Sequence, residues 1–235
     1  MTARAAKPPT TRAAVGALLR KELRLELRTF QVIPAMALFS VTTLVVFHFS
    51  LQENAVDGPL AAGVLTVTLL FSAILGINRL FVADHEESGF DGFLLAPVDR
   101  TAMLVAKALA LGAFLVILEL IAVPAFAFML LDPDLTGAAL GQTVVVLILA
   151  DVAIAVVGTL VGALAIQTRA RDLIVPLIAL PLLLPVVIGT AKMLAPTFAL
   201  AGAQALPGRW LAILGLYDLI FGLLAYAVFD FLLED

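Results

Sequence analysis

Cysteine is absent from the 235 residues, which excludes a disulfide, a thiolate metal site and a Cys-X-X-Cys-His haem attachment. Histidine is nearly absent too: the two are His48 and His85, too few and too far apart for a metal held by several imidazoles. An intramembrane hydrolase, which needs a nucleophile beside a base or such a metal, has little to draw on. There is no Gly-x-x-x-x-Gly-Lys-Ser/Thr phosphate cradle, so any ATP-driven step needs a separate subunit. Charge is scarce, at 14% of residues against 63% hydrophobic. With a mean hydropathy of +1.12, the chain is too apolar for a soluble core that must also cover itself with polar surface. Alternating ten-residue segments are missing, which argues against a membrane barrel, and no internal repeat is visible.

What is present is a set of apolar runs, each long enough to cross about 30 Å of hydrocarbon as a helix. The expected spans are Phe30 to Leu51, Leu60 to Val82, Leu104 to Leu131, Leu140 to Ile166, Leu173 to Leu194 and Arg209 to Asp230. The fold class expected is therefore all-α, a polytopic membrane protein of six transmembrane helices. Seven Lys or Arg precede the first span; Arg79, Arg100, Lys107, Arg169 and Arg171 bring the same side to twelve of the fourteen. Lys192 and Arg209 fall opposite, where the first and third loops carry Glu53, Asp57, Asp132 and Asp134. The positive-inside rule then places both termini in the cytoplasm. The first 29 residues are basic and not apolar, and the first apolar run is too long for a cleaved signal peptide, so the N-terminus is expected to be retained. The polar connections are too short for a soluble domain. The organisation expected is a basic N-terminus over 1–29, one permease domain over 30–231 and a short tail over 232–235.

Two segments outside the spans stand out. In VGALLRKELRLELR, from Val15 to Arg28, a helix puts Arg20, Arg24 and Arg28 on one stripe with Lys21 beside it, and Val15, Leu19, Leu23 and Leu27 on another face. That pattern predicts an amphipathic helix lying in the interface, with guanidinium groups among anionic headgroups. Glu22 and Glu26 interrupt its apolar side; either the helix is only a topology anchor or the glutamates meet a cytoplasmic partner. Between the second and third spans, His85 to Arg100 combines acids and small residues with Phe90, Phe93 and a helix-stopping Pro97. A short helix there would present Phe90, Phe93 and Leu94 to a groove of another protein, ringed by Asp84, Glu86, Glu87 and Asp91. The competing reading is an interfacial helix resting on its own bundle.

Inside the spans, Glu119, Asp151 and Asp218 each cost about 3 kcal/mol or more to insert. They either line a substrate pathway or proton relay, or hydrogen-bond between helices and fix their packing. His48, near the outer end of the first span, is a candidate haem ligand, or an amphipathic side chain at headgroup level. Gly158 and Gly162 form a small-xxx-small pair that suits close helix approach. Pro176, Pro181 and Pro185 predict kinks and a discontinuous fifth span.

In the loop after the second span, Glu86, Asp91, Phe93, Leu94, Ala96 and Pro97 fall in the register of the ABC-2 type exporter permeases, which this segment resembles; Ser88 and Gly89 depart from it. The chain as a whole is most similar to the haem exporter protein B family of cytochrome c maturation permeases. The resemblance is carried by Lys21 to Arg28, Leu94 to Arg100, Glu119-Leu with Pro124, Gln167 to Leu173, Pro181 with Pro185, and Asp218 to Phe221. It implies a homodimeric permease in the bacterial inner membrane. It also implies two copies of a separate ATP-binding subunit, which carry the ATP and Mg and couple through the Glu86 to Pro97 element. Other cytochrome c maturation membrane proteins, a haem chaperone and membrane lipids are the remaining partners implied, with haem as cargo. Either haem is exported, or ATP hydrolysis releases the haem-loaded chaperone. The alternatives are an ABC-2 exporter of a lipid, polysaccharide or drug, and a proton-coupled secondary transporter using Glu119 and Asp151.

Overall fold

The computed structural model describes residues 10–51, 56–86, 100–131, 137–166 and 171–232, with side chains left undescribed at 81–86, 100, 166, 171 and 229–232. Seven helices follow one another among these residues: α1 (Thr11–Thr29), α2 (Val32–Leu51), α3 (Gly58–Glu86), α4 (Arg100–Leu130), α5 (Gly137–Ile166), α6 (Arg171–Thr197) and α7 (Gly208–Leu232). Helices α2 to α7 are the six that are long and apolar enough to span a membrane. They coincide with the six expected spans to within a few residues. The fold is an all-α, six-span membrane protein, since in hydrocarbon a helix satisfies its backbone within itself.

Helix α3 lies at the centre, packed on α2, α4, α5 and α6, while α5 also meets α4, α6 and α7. In the most apolar window of α3, 72% of residues are buried, against 11% in α7 at the periphery. The apolar residues that α7 exposes, among them Leu216, Leu219 and Leu223, are those of a helix that lipid would cover. Gly158 of α5 permits the tight centre: a Cβ there would stand 2.7 Å from Ile77 Cδ1 of α3 and 2.9 Å from Leu111 Cδ2 of α4. The close approach expected of the small-residue pair is thus real at Gly158.

Helix α6 is continuous, where a discontinuous span was expected. It contains Pro176, Pro181, Pro185 and Pro196, yet it runs unbroken from Arg171 to Thr197. Proline removes one donor and crowds the preceding turn, but neighbouring helices sustain such a segment inside a bundle. The hydroxyl of Tyr217 on α7 donates to the Leu182 carbonyl at 2.6 Å, tying α7 to α6 one residue from Pro181, whose carbonyl Pro185 leaves without its helical donor.

Helix α1 packs on α4. It ends at Phe30, which adopts the left-handed conformation (φ 47°, ψ 48°) and donates its N–H to Glu26 O at 2.8 Å. A left-handed residue that is not glycine costs about 1 kcal/mol or more. Here it turns the chain straight into α2.

Candidate functional site

The α1 end of the bundle carries a polar bracket that joins four helices. Lys107 of α4 is 2% exposed and Glu22 of α1 is 6% exposed. Lys107 Nζ lies 3.0 Å from Glu22 Oε1 and also donates to the Leu80 carbonyl of α3 at 3.0 Å. Removing one partner of such a pair leaves an uncompensated buried charge. One turn further along α1, the Glu26 carboxylate accepts from Val32 N–H and Ile33 N–H at the start of α2, at 3.0 and 2.8 Å. A new helix begins with orphan N–H groups; Pro34, next in line, has none to offer, so one carboxylate covers the first two. Its charge also opposes the positive end of the helix dipole.

The two glutamates are therefore inward-facing fasteners, buried against their own bundle. A one-dimensional pattern shows them only as interruptions of an apolar face. The exposed stripe is as expected: Arg20, Arg24 and Arg28 are exposed, and Lys21 lies beside them, its Nζ 3.9 Å from Glu22 Oε1. Leu27 is exposed, whereas Leu19 and Leu23 rest partly against the bundle core. Lys107 counts in the sequence only as a topology charge. The signal that could have marked it is a lone lysine inside an apolar run, which needs a buried carboxylate.

The bracket grips α3 and α4 at the bases that lead into and out of the expected docking segment. Asp84 and Glu86 fall in the last turns of α3, with side chains outside the described residues. Glu87, Phe90, Asp91, Phe93, Leu94 and Pro97 lie wholly outside the described residues.

Within the spans, the structure brings Glu119 of α4 and Asp151 of α5 within side-chain hydrogen-bonding reach of each other, on the wall of one cavity. Asp218, on α7, is not part of that pair; it is half-buried, and its Oδ1 has no hydrogen-bond partner among the described residues. At the end of the bundle opposite α1, the His48 ring meets the Met129 carbonyl at 2.6 Å through Nδ1. A carbonyl only accepts, so Nδ1 carries the proton and Nε2 holds the lone pair of the neutral ring. The Phe49 ring stands edge-on to it, 5.2 Å between centroids. Among the described residues no three His, Asp or Glu side chains are grouped to hold a metal ion.

Six apolar helices, a basic leading helix clamped to the bundle and buried acids within it define a polytopic helical membrane protein. A family model described as CcmB protein matches residues 13–230, so the chain belongs to the CcmB protein family. It is similar to "Heme exporter protein B" of Rhodobacter capsulatus, 33% identical over 180 residues, which is 75% of this chain and 80% of the relative. The protein of the same name from Bradyrhizobium diazoefficiens is 28% identical over 193 residues, 82% of each chain. That from Paracoccus denitrificans is 31% identical over 180 residues, 75% of this chain and 80% of the relative.

Proposed function

We propose that this chain is the membrane-spanning permease component of a haem exporter serving cytochrome c maturation. The observation that carries it is the family match from 13 to 230, which takes in all six spanning helices. In this reading the chain works as a homodimer in the bacterial inner membrane with the α1 end in the cytoplasm. A separate ATP-binding subunit docks on the segment between α3 and α4, using Asp84, Glu86, Glu87, Phe90, Asp91, Phe93, Leu94 and Pro97. ATP and Mg stay on that subunit, and the energy either moves haem or releases a haem-loaded chaperone.

The bracket suits such a coupling. A push on the connecting segment acts on α3 and α4, and the Lys107 link to Glu22 and Leu80 O joins both to α1. Glu26 passes the displacement on to the start of α2. On the outer side, His48 Nε2 is the candidate iron ligand of this chain. Its Nδ1 is already held by a backbone carbonyl, as is usual for an imidazole that binds metal through the other nitrogen.

The test is affinity purification of the tagged chain in mild detergent, wild type beside a Glu86→Arg/Phe93→Asp variant. An ATP-binding subunit should co-elute with wild type and be lost from the variant. Its absence from wild type, or its retention by the variant, would sink the docking assignment.

A further inference from the structure

Far from the bracket, the interior of the bundle holds a second polar site. The carboxyls of Glu119 and Asp151 lie within side-chain hydrogen-bonding reach of each other and line one cavity. Ionised carboxylates only accept, so a bond between the two forms only when one of them carries a proton. Beside the pair lies a cavity of about 20 Å³ where four helices meet, walled by Thr66 of α3, Glu119 of α4, Asp151 of α5 and Thr190 of α6 among apolar residues. Thr66, Asp151 and Thr190 are 5%, 7% and 2% exposed. Thr66 Oγ1, Asp151 Oδ2 and Thr190 Oγ1 have no hydrogen-bond partner among the described residues.

Three orphaned polar atoms around one space call for a polar guest, since each costs about 1–3 kcal/mol if left bare. The space exceeds the roughly 10–15 Å³ that one water needs. Two hydroxyl donors and two carboxyl acceptors also match the two lone pairs and two protons of a water molecule. A divalent cation takes about six or more oxygens, more than these four side chains offer in so small a space.

Asp151 has a second aspect. It also lines a groove of about 530 Å³ on the flank of the bundle, between α4, α5 and α7, whose other walls include Leu109, Gly112, Val152 and Tyr226. The acid is thus the partition between the interior cavity and an apolar recess open to the side. We propose that Glu119, Asp151, Thr66 and Thr190 form a binding site for one proton and one water molecule, reached from the flank of the bundle through the groove at Asp151. The shared proton leaves the pair with at most one negative charge, which the water and the two hydroxyls solvate. The site does not depend on the ATP-binding partner, so its failure and the failure of the docking assignment read out separately.

An apolar carbodiimide tests it, because the reagent attacks protonated carboxyls. The carboxyl proton passes to a carbodiimide nitrogen, the carboxyl oxygen bonds the central carbon, and the adduct rearranges to a stable N-acylurea that keeps the whole reagent mass. The full chain in lipid nanodiscs is treated with dicyclohexylcarbodiimide or with a water-soluble, cationic carbodiimide, and peptide mass mapping locates the adducts. The expected result is an adduct at Asp151 with the apolar reagent and roughly tenfold less with the cationic one, which the apolar groove excludes. Exchange of choline for sodium should leave the labelling unchanged. An unlabelled pair, equal labelling by both reagents, or protection by sodium would each overturn the proposal. These comparisons use wild type alone; Asp151→Asn, checked for a monodisperse elution profile, should abolish the adduct. A density map fine enough for ordered water should show one water between the two threonine hydroxyls and the acids, and an empty cavity or a metal ion there would refute that half of the assignment.

Discussion

Two of the buried polar clusters among the described residues are built in opposite ways. At the α1 end, Lys107, Glu22 and Glu26 take their partners from other helices: ammonium to carboxylate, ammonium to carbonyl, carboxylate to the N–H groups of a helix start. Halfway along, Glu119 and Asp151 face each other, while Thr66, Thr190 and one oxygen of Asp151 find no partner among the described residues. Polar groups that packing satisfies hold elements in register; polar groups that packing leaves bare mark a place for something that is not protein. Substitutions should therefore cost much in the first cluster and little in the second.

The largest effect belongs to Lys107→Met, which takes from the buried Glu22 its 3.0 Å partner and leaves only the more exposed Lys21 at 3.9 Å, and it should destabilise by about 3–5 kcal/mol in reversible unfolding from mixed micelles. Glu22→Gln/Lys107→Met should recover most of that loss. If the double variant were as unstable as the single one, the bracket would not act as a unit. Next comes Glu26→Ala, which uncovers the start of α2 and should cost about 1–2 kcal/mol, seen as a lower unfolding midpoint and as faster hydrogen exchange at Val32 and Ile33. In the inner cluster, Thr66→Val or Thr190→Val keeps the shape and removes one hydroxyl. Each should shift stability by about 1 kcal/mol or less, and a cost matching that of Lys107→Met would erase the contrast. Smallest is Arg20→Gln/Arg24→Gln on the exposed face, which should leave unfolding within about 0.5 kcal/mol. The same change should weaken association with anionic vesicles by about 1 kcal/mol per charge, the one readout in which that face matters.

The six spans were legible because insertion into lipid is decided by run length and composition, both local properties of the chain. Even the boundaries follow: α2 starts at Val32 and α5 ends at Ile166, beside the expected Phe30 and Ile166. The pairings were not legible. Glu119 and Asp151 stood out as intramembrane acids, but nothing in one sequence says that they touch, because helix rotation is set by packing. Lys107 stood among residues read for topology, and Glu22 looked like a blemish on an amphipathic helix; only their burial together makes sense of both. The unbroken α6 shows the same limit from the other side, since proline spacing reports missing donors and says nothing of the neighbours that make the loss tolerable.

Helix α2 has one further property. Its first turn is clamped by Glu26, and its last turn is tied through His48 to the Met129 carbonyl of α4. Between those two pins only 22% of its most apolar window is buried. A free spanning helix meets a thinner or thicker bilayer by leaning over. This one cannot lean by itself, because both its ends are attached to the same frame. A change in membrane thickness must bow α2 like a column between fixed plates or rock α1, α2 and α4 together, and either response carries the strain to the bases of the helices that flank the connecting segment.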